Sequence, residues 1–201
     1  ALSKFGVPML SSLRDAEQAL EAENLVYIGL ENFCPALDQL FELRPYLGVR
    51  TAVNTFARDL NPFDAACQMQ GVFHPPYKAG HLQAAQVLGQ KNAMIFKGGG
   101  GEVMRNPMKP ARVDAILNGE VDEIVWPALT DNTTYKWRDE DLEPDQLLQL
   151  WQGKLSLDVP QKGIIGTLSV ALKMKYPSES PEHLDQRATD IWESRDRHRF
   201  S

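Results

Sequence analysis

The sequence predicts an α/β fold, a mainly parallel sheet flanked by helices, and three patterns support this class. Residues 66–98 alternate an apolar strand, a helix and a second apolar strand, which is the order of a crossover unit with parallel strands. Residues 112–126 predict two further strands around Asn118-Gly119, a dipeptide typical of tight hairpin turns. Helical patterns occupy both ends of the chain.

The N-terminal part predicts three helices and one short buried strand. Ser12 begins the first helix, because Asp15 follows three residues later in a capping-box-like pattern. Pro35 suits the first turn of the next helix, and Gly48 is a typical stop. The predicted elements are a helix at 12–23, a strand at 24–30, and helices at 35–47 and 50–60.

The remainder of the chain predicts the sheet and three closing helices. The pattern changes after Pro62 from helical spacing to short apolar runs separated by turn residues. The predicted elements are a strand at 66–74, a helix at 79–90, a strand at 92–98, a hairpin at 112–126, and helices at 141–153, 163–176 and 180–195.

Composition predicts a soluble, cytoplasmic protein. The 201 residues are 43% hydrophobic and 24% charged, which is ordinary for a globular chain. The net charge of −6 argues against attraction of the whole surface to nucleic acid or anionic membrane, although a local basic patch stays open. No apolar run approaches the roughly 18–20 residues that span a bilayer. Cys34 and Cys67 have no metal-binding spacing, which favours a reduced compartment.

Four consecutive glycines, Gly98, Gly99, Gly100 and Gly101, follow the second predicted strand. Open α/β sheets bind ligands at this end of their strands. No Gly-Lys-Ser/Thr follows, so the run is not a nucleotide P-loop. Two interpretations remain open, an exposed flexible hairpin and a site where exposed backbone N–H groups bind an anion.

The charges around the glycines favour the anion site. Four bases and one acid lie between residues 97 and 112, a local charge of +3 within an acidic chain; they are Lys97, Glu102, Arg105, Lys109 and Arg112. Glu102 could bind Mg²⁺ or be a solvated surface carboxylate. Structural roles are favoured for the two cysteines and for His74 and His81, and no catalytic residue is predicted with certainty.

Two segments of the sequence, RPYLGVRTAVNTFARDLNP at 44–62 and QMQGVFHP at 68–75, match the motifs of a known family. They resemble the R-x-x-LG-[IV]-RT-x-x-N-x-x-x-x-L-x-NP segment and the Q-x-x-GV-[FY]-x-P strand of the anthranilate phosphoribosyltransferases, which are nucleoside-phosphorylase-like glycosyltransferases. IFKGGGGEV at 95–103 stands where they carry V-H-G-x-G-x-D-E. The closing helices after VPQKGIIG follow the order of the family's C-terminal region, so the resemblance covers nearly the whole chain.

The resemblance implies a fold and a reaction. In that family a helical domain packs on an α/β domain of the phosphoribosyltransferase type, and phosphoribosyl pyrophosphate binds between them with Mg²⁺. Residues 35–60 would pack with the helical domain. Arg44 matches the arginine that holds the anthranilate carboxylate, and Glu102 matches the first of two acidic metal ligands. Lys97 and the four glycines would contact the substrate.

Two departures point to a divergent branch of the family. Val103 stands at the second acidic ligand, and Lys97 replaces a histidine. Some members of that branch are nucleic-acid-binding dimers with a basic groove. The resemblance therefore also implies a second ligand for the phosphate cleft, single-stranded or duplex nucleic acid, and a homodimer. The residues that would contact the nucleic acid are Lys97, Arg105, Lys109 and Arg112.

The chain also lacks the GTGGD loop and HGNR segment that bind most of the phosphoribosyl pyrophosphate. This predicts a fragment, the C-terminal two thirds of a longer protein, which alone would not be a competent transferase. Three functions stay open: transfer of a phosphoribosyl group to an unknown aromatic or nitrogenous acceptor with an altered metal site, non-catalytic nucleic-acid binding, and a scaffold kept for oligomerisation.

Overall fold

The computed structural model describes residues 2–48, 52–136 and 144–200. The chain divides into two compact units, one built from residues up to Ala65 together with Phe200, and the other from Ala66–Arg199. Both units combine helices with strands, so the predicted α/β class is confirmed. Residues 49–51 and 141–143 lie outside the described ranges, and with them the starts of the helices predicted over 50–60 and 141–153.

The N-terminal unit holds a small parallel strand pair joined by a helix. β1 (Met9–Leu10) pairs with β2 (Tyr27–Ile28), and α1 (Leu13–Glu23) connects them. The Ser12 hydroxyl accepts a hydrogen bond from the Asp15 N–H, which confirms the predicted N-cap, and Asn24 ends α1 at φ 57°. Short helices follow: α2 (Leu30–Phe33), α3 (Pro35–Gln39), α4 (Arg44–Leu47) and α5 (Val53–Phe56).

Three elements of this unit are shorter than predicted. One is the helix predicted over 50–60, where the described part consists of α5 and a 3₁₀ turn at Ala57–Asp59. The helix predicted over 35–47 is broken, since a 3₁₀ turn at Leu40–Leu43 separates α3 from α4. Pro45 explains the break, because it lacks the N–H that a continuous helix would donate to the carbonyl four residues earlier. Gly48 ends α4 at φ 69°, as predicted. The strand predicted at 24–30 keeps two residues, and Tyr27 is exposed rather than buried.

The second unit is built on a four-stranded sheet in the order β3-β4-β5-β6. β3 (Cys67–Val72) runs parallel to β4 (Asn92–Lys97), and α6 (Lys78–Val87) connects them. β5 (Ala111–Leu117) and β6 (Glu120–Trp126) add antiparallel pairs. This sheet is therefore mixed rather than mainly parallel, because the hairpin contributes two of its three pairings.

Helices cover both faces of this sheet. α7 (Pro144–Gln152), α8 (Asp158–Lys175) and α9 (Pro181–Glu193) follow β6. Alternation along β4 divides the core: Met94 and Phe96 pack with Val170 of α8, whereas Ala93 packs with Ala85 of α6. Side chains two residues apart share a face of a strand, which is why β4 can bury both sides.

The hairpin turn is the two-residue turn that the sequence predicts. Asn118 has φ 52° and Gly119 has φ 89°, the pair of positive angles that defines a type I′ turn. The turn lies at the end of the sheet opposite the glycine run, because Leu117 pairs with Glu120 while Phe96 pairs with Val113.

Within the described ranges, every helix is too short or too polar to cross a bilayer.

Candidate phosphate site

The glycine run lies at the carboxyl end of the parallel pair β3–β4. The Gly98 N–H donates to the Val72 carbonyl oxygen over 3.0 Å, which extends the pairing by one step beyond the strands. Gly98 is buried, and Gly99 and Gly100 are exposed. The loop then turns at Gly101, whose φ of 100° favours glycine. The first glycine of the run is therefore held by the sheet, whereas the next two are exposed to solvent.

The exposed amides of the loop already bind an anion, the side chain of Glu102. The Gly99 N–H donates to Glu102 Oε1 over 2.7 Å, and the Gly100 N–H donates to Glu102 Oε2 over 2.5 Å. Successive backbone N–H groups that converge in this way form an anion-binding concavity. In this structure the glycine loop is thus folded around a carboxylate.

The backbone of Glu102 packs against two glycines, Gly71 on β3 and Gly98 directly after β4. A Cβ built on Gly98 would lie 2.9 Å from the Glu102 carbonyl carbon and would overlap its oxygen. A Cβ on Gly71 would lie 2.7 Å from the Gly101 carbonyl oxygen and closer still to that of Glu102. The Glu102 oxygen also accepts a hydrogen bond from the Met104 N–H over 3.0 Å. Close backbone approach therefore requires glycine at both positions.

Lys97 stands beside the loop with an exposed side chain. Its Nζ donates to the Phe73 carbonyl oxygen over 2.7 Å and lies 5.1 Å from the centre of the Phe73 ring. The ammonium therefore adds a positive charge at the carboxyl ends of both parallel strands.

Arg105 lies in the interior. Its side chain has no exposed surface, and its guanidinium forms a bidentate ion pair with Asp185 of α9 at 2.5 and 3.1 Å. Nη2 also donates to the Pro127 carbonyl oxygen over 2.6 Å, and the guanidinium carbon lies 6.0 Å from the Trp126 ring centre. These contacts tie the segment after the glycine loop to the helical layer. Arg105 is therefore a structural residue in this arrangement, with its guanidinium bound to Asp185.

The two remaining predicted bases are exposed. Lys109 lies in the turn before β5. Arg112 lies on β5 with its side chain 70% exposed, and its Nη1 contacts Glu123 Oε1 on β6 at 3.0 Å. The positive charge predicted for residues 97–112 is consequently offset in part, since Arg105 and Arg112 each contact a carboxylate.

Arg44 lies in the N-terminal unit, at the first residue of α4, and is exposed. Its backbone carbonyl accepts a hydrogen bond from the Gly48 N–H over 3.0 Å. The glycine loop belongs to the other unit.

Val103 lines an apolar cavity of about 420 Å³ between β3, the end of the glycine loop and helices α7 and α8. Its side chain is 41% exposed. The other lining residues include Met69, Met104, Leu147, Ile164 and Leu168. Where the resembling family carries a second acid, this chain therefore presents a hydrocarbon surface.

The residues present do not fit a magnesium site held by the protein alone. Glu102 is the carboxylate of the loop, and both of its oxygens bind amides. In the described part of the chain no three ligating side chains come together around a possible metal, and Mg²⁺ prefers several oxygen ligands in near-octahedral geometry.

Comparison with known proteins identifies the family. A sequence model described as "Glycosyl transferase family, a/b domain" matches residues 1–133. The chain belongs to this family. The chain is 29% identical over 122 residues to an anthranilate phosphoribosyltransferase of Polynucleobacter necessarius, covering 61% of this chain. It is 32% identical over 90 residues, 45% of this chain, to an uncharacterized protein of Aquifex aeolicus. The predicted family is thus confirmed.

The glycosyl transferase domain also has a close structural neighbour. The crystal structure of anthranilate phosphoribosyltransferase from Thermus thermophilus matches 96% of this chain with a TM-score of 0.75 at 18% identity, which supports the fold. The chain spans 58% of that structure. It spans 36% of the Polynucleobacter enzyme and 29% of the Aquifex relative.

Sequence reasoning missed the partners that hold the loop. Asp185 lies 80 positions from Arg105, and the Thr167 hydroxyl, which accepts from the Arg105 N–H over 2.9 Å, lies 62 positions away. One local signal was available, because Glu102 follows Gly99 and Gly100 closely enough for its side chain to fold back onto their amides.

Proposed function

We propose that this chain is the α/β part of a phosphoribosyltransferase-like protein whose glycine loop binds the phosphate groups of phosphoribosyl pyrophosphate. The complete protein would transfer the phosphoribosyl group to an aromatic or nitrogenous acceptor. The observation that carries this proposal is the pair of loop amides, Gly99 and Gly100, that hold a carboxylate at the end of parallel strands. Donors that bind a carboxylate in this way are also suited to phosphate oxygens.

The proposal assigns a role to the neighbouring residues. Lys97 supplies positive charge for a diphosphate, and Gly98 lets the backbone approach closely enough to aim the next two amides. Arg44 would bind a carboxylate of the acceptor, since a guanidinium presents two parallel donors to a carboxylate. Each of these assignments extends the family resemblance to this chain.

We propose that Mg²⁺ binds to this site only together with the diphosphate. Glu102 is the one residue of the loop that would contact it, with phosphate oxygens supplying other ligands. The described residues do not by themselves build a metal site, so the ion would bind only together with the diphosphate.

Isothermal titration of the full-length protein with phosphoribosyl pyrophosphate, with and without Mg²⁺, tests this function. We expect saturable binding that is weakened by Gly98→Ala and unchanged by Gly80→Ala, a glycine on α6 whose added Cβ meets nothing within 4 Å. Absence of binding under both conditions would contradict the proposal.

A second candidate function is nucleic-acid binding in the same place. Val103 favours it, because the missing second acid removes a charge that would repel a phosphate backbone. Lys97 and Lys109, which precede and follow the loop in the sequence, are both exposed. Fluorescence anisotropy of a labelled single-stranded oligonucleotide, with phosphoribosyl pyrophosphate as competitor, separates the two candidates. A homodimer and a cytoplasmic location remain predictions.

A further inference from the structure

The Glu102 carboxylate occupies the position in which the glycine loop would hold a phosphate. Its two oxygens accept from the Gly99 and Gly100 amides at 2.7 and 2.5 Å. A phosphate group presents oxygens of the same charge and hydrogen-bonding type, so one excludes the other. We propose that Glu102 is a built-in competitor, which closes this oxyanion site in the ligand-free protein and swings out when a phosphate binds to the two amides.

The backbone geometry allows this exchange without rebuilding the loop. The Glu102 carbonyl is packed against Gly71 and Gly98 and accepts from the Met104 N–H. These contacts fix the main chain, whereas the side chain is exposed and reaches solvent by rotation about its own bonds. Rotation of the Glu102 side chain away from the loop therefore breaks its two hydrogen bonds to the amides. The N–H donors stay in place for an incoming oxyanion.

Among the described residues, the cations that flank Glu102 in the sequence have other partners. Lys97 directs its ammonium to the Phe73 carbonyl oxygen and ring, and the Arg105 guanidinium is bound to Asp185. The closed state is thus held mainly by the loop's own N–H groups. A ligand that brings a negative charge competes for those groups directly.

This inference rests on the proposed function, because it takes the loop to be the phosphate site, and it adds how that site is regulated. An apparent dissociation constant is raised by the inverse of the fraction of molecules in the open state. Two hydrogen bonds are lost on opening, but the exposed Glu102 carboxylate regains bonds to water, so their combined net contribution corresponds to about tenfold in affinity. We expect the closed state to weaken phosphate binding by about tenfold.

The test uses the full-length protein labelled with ¹⁵N-glycine, titrated with inorganic phosphate and followed by NMR. Glu102→Ala empties the site. Glu120→Ala, at the first residue of β6, is the control that removes the same charge from an exposed position. We expect the Gly99 and Gly100 amide resonances to shift in Glu102→Ala before any phosphate is added. Phosphate should then move the same resonances with about tenfold higher affinity than in the wild type.

The possible results separate the inference from the proposed function. Equal phosphate affinity in wild type and Glu102→Ala, with Gly99 and Gly100 responding in both, would overturn the competitor role and leave the phosphate site standing. An equal gain in Glu120→Ala would also overturn it, because the effect would then be one of overall charge. If phosphate moves neither amide in any variant, the inference and the phosphate site both fail.

Discussion

The guanidinium of Arg105 and the carboxylate of Asp185 form a bidentate ion pair in the interior of the second unit. Arg105 lies in the segment that follows the glycine loop, so the pair joins that segment to α9. Removing one member of a buried pair leaves the other charge without compensation, which costs about 3–5 kcal/mol. We therefore expect Asp185→Ala to lower the free energy of unfolding by that amount, measured by urea denaturation.

An exposed pair in the same unit provides the control. Arg187 Nη2 lies 2.7 Å from Glu179 Oε1, with 44% of the Arg187 side chain and 23% of the Glu179 side chain exposed. Exposed pairs contribute about 0–1 kcal/mol, so Glu179→Ala should have little effect. Equal losses in the two variants would argue against a structural role for Arg105.

Gly98 is the glycine at which an added methyl group should do most damage to the loop. Gly98→Ala places a Cβ against the Glu102 backbone, and overpacking of this kind costs about 1–3 kcal/mol. We expect reduced stability by thermal denaturation and weaker phosphate binding by titration. Gly80→Ala should leave both unchanged or raise stability slightly, since it lies in a helix with open space around it.

A substitution at Val103 distinguishes the two candidate functions. Val103→Glu restores an acid where the resembling enzymes carry one. If the site is catalytic, we expect Mg²⁺-dependent turnover of phosphoribosyl pyrophosphate to increase; if the loop holds a nucleic-acid backbone, oligonucleotide binding should weaken. Val121→Glu is the matched control, because Val121 is 49% exposed and Val103 is 41% exposed, and Val121 lies beside the distant hairpin turn. Identical behaviour of the two variants would exclude a specific role for Val103.

Lys97 and Lys109 are expected to contribute separately to nucleic-acid binding. Each lysine that contacts a phosphate of a single strand adds about 0.7 to the slope of log affinity against log salt concentration. Lys97→Ala and Lys109→Ala should each reduce that slope by about this amount in anisotropy titrations. Lys154→Ala, an exposed lysine after α7, should not. An unchanged slope in both test variants would rule out this mode of contact.

Much of the fold follows from local patterns. Ser12 and Asp15 fix the start of α1, the strand–helix–strand alternation fixes β3, α6 and β4, and the Asn118-Gly119 turn fixes the hairpin. The broken helix around Pro45 could have been anticipated from the proline itself. The mixed direction of the sheet could also have been read from the hairpin, because a two-residue turn joins only antiparallel strands.

The candidate site was less predictable than the fold, because contacts between residues far apart in the sequence determine which of its charges are buried and which are exposed. Arg105, Lys109 and Arg112 have the same sign and nearly the same position along the chain. Only the fold separates them: Asp185 on α9 draws Arg105 into the core, Glu123 on β6 faces Arg112, and Lys109 stays exposed. A count of charges over a short window cannot make that distinction.

The most direct test of a phosphate site at the glycine loop is a crystal structure of the full-length protein with phosphoribosyl pyrophosphate. We expect a phosphate oxygen at about 2.7–3.2 Å from the amide nitrogens of Gly99 and Gly100, with the Glu102 side chain rotated away from them. A diphosphate bound elsewhere in the protein, with the Glu102 carboxylate still on both amides, would contradict the account.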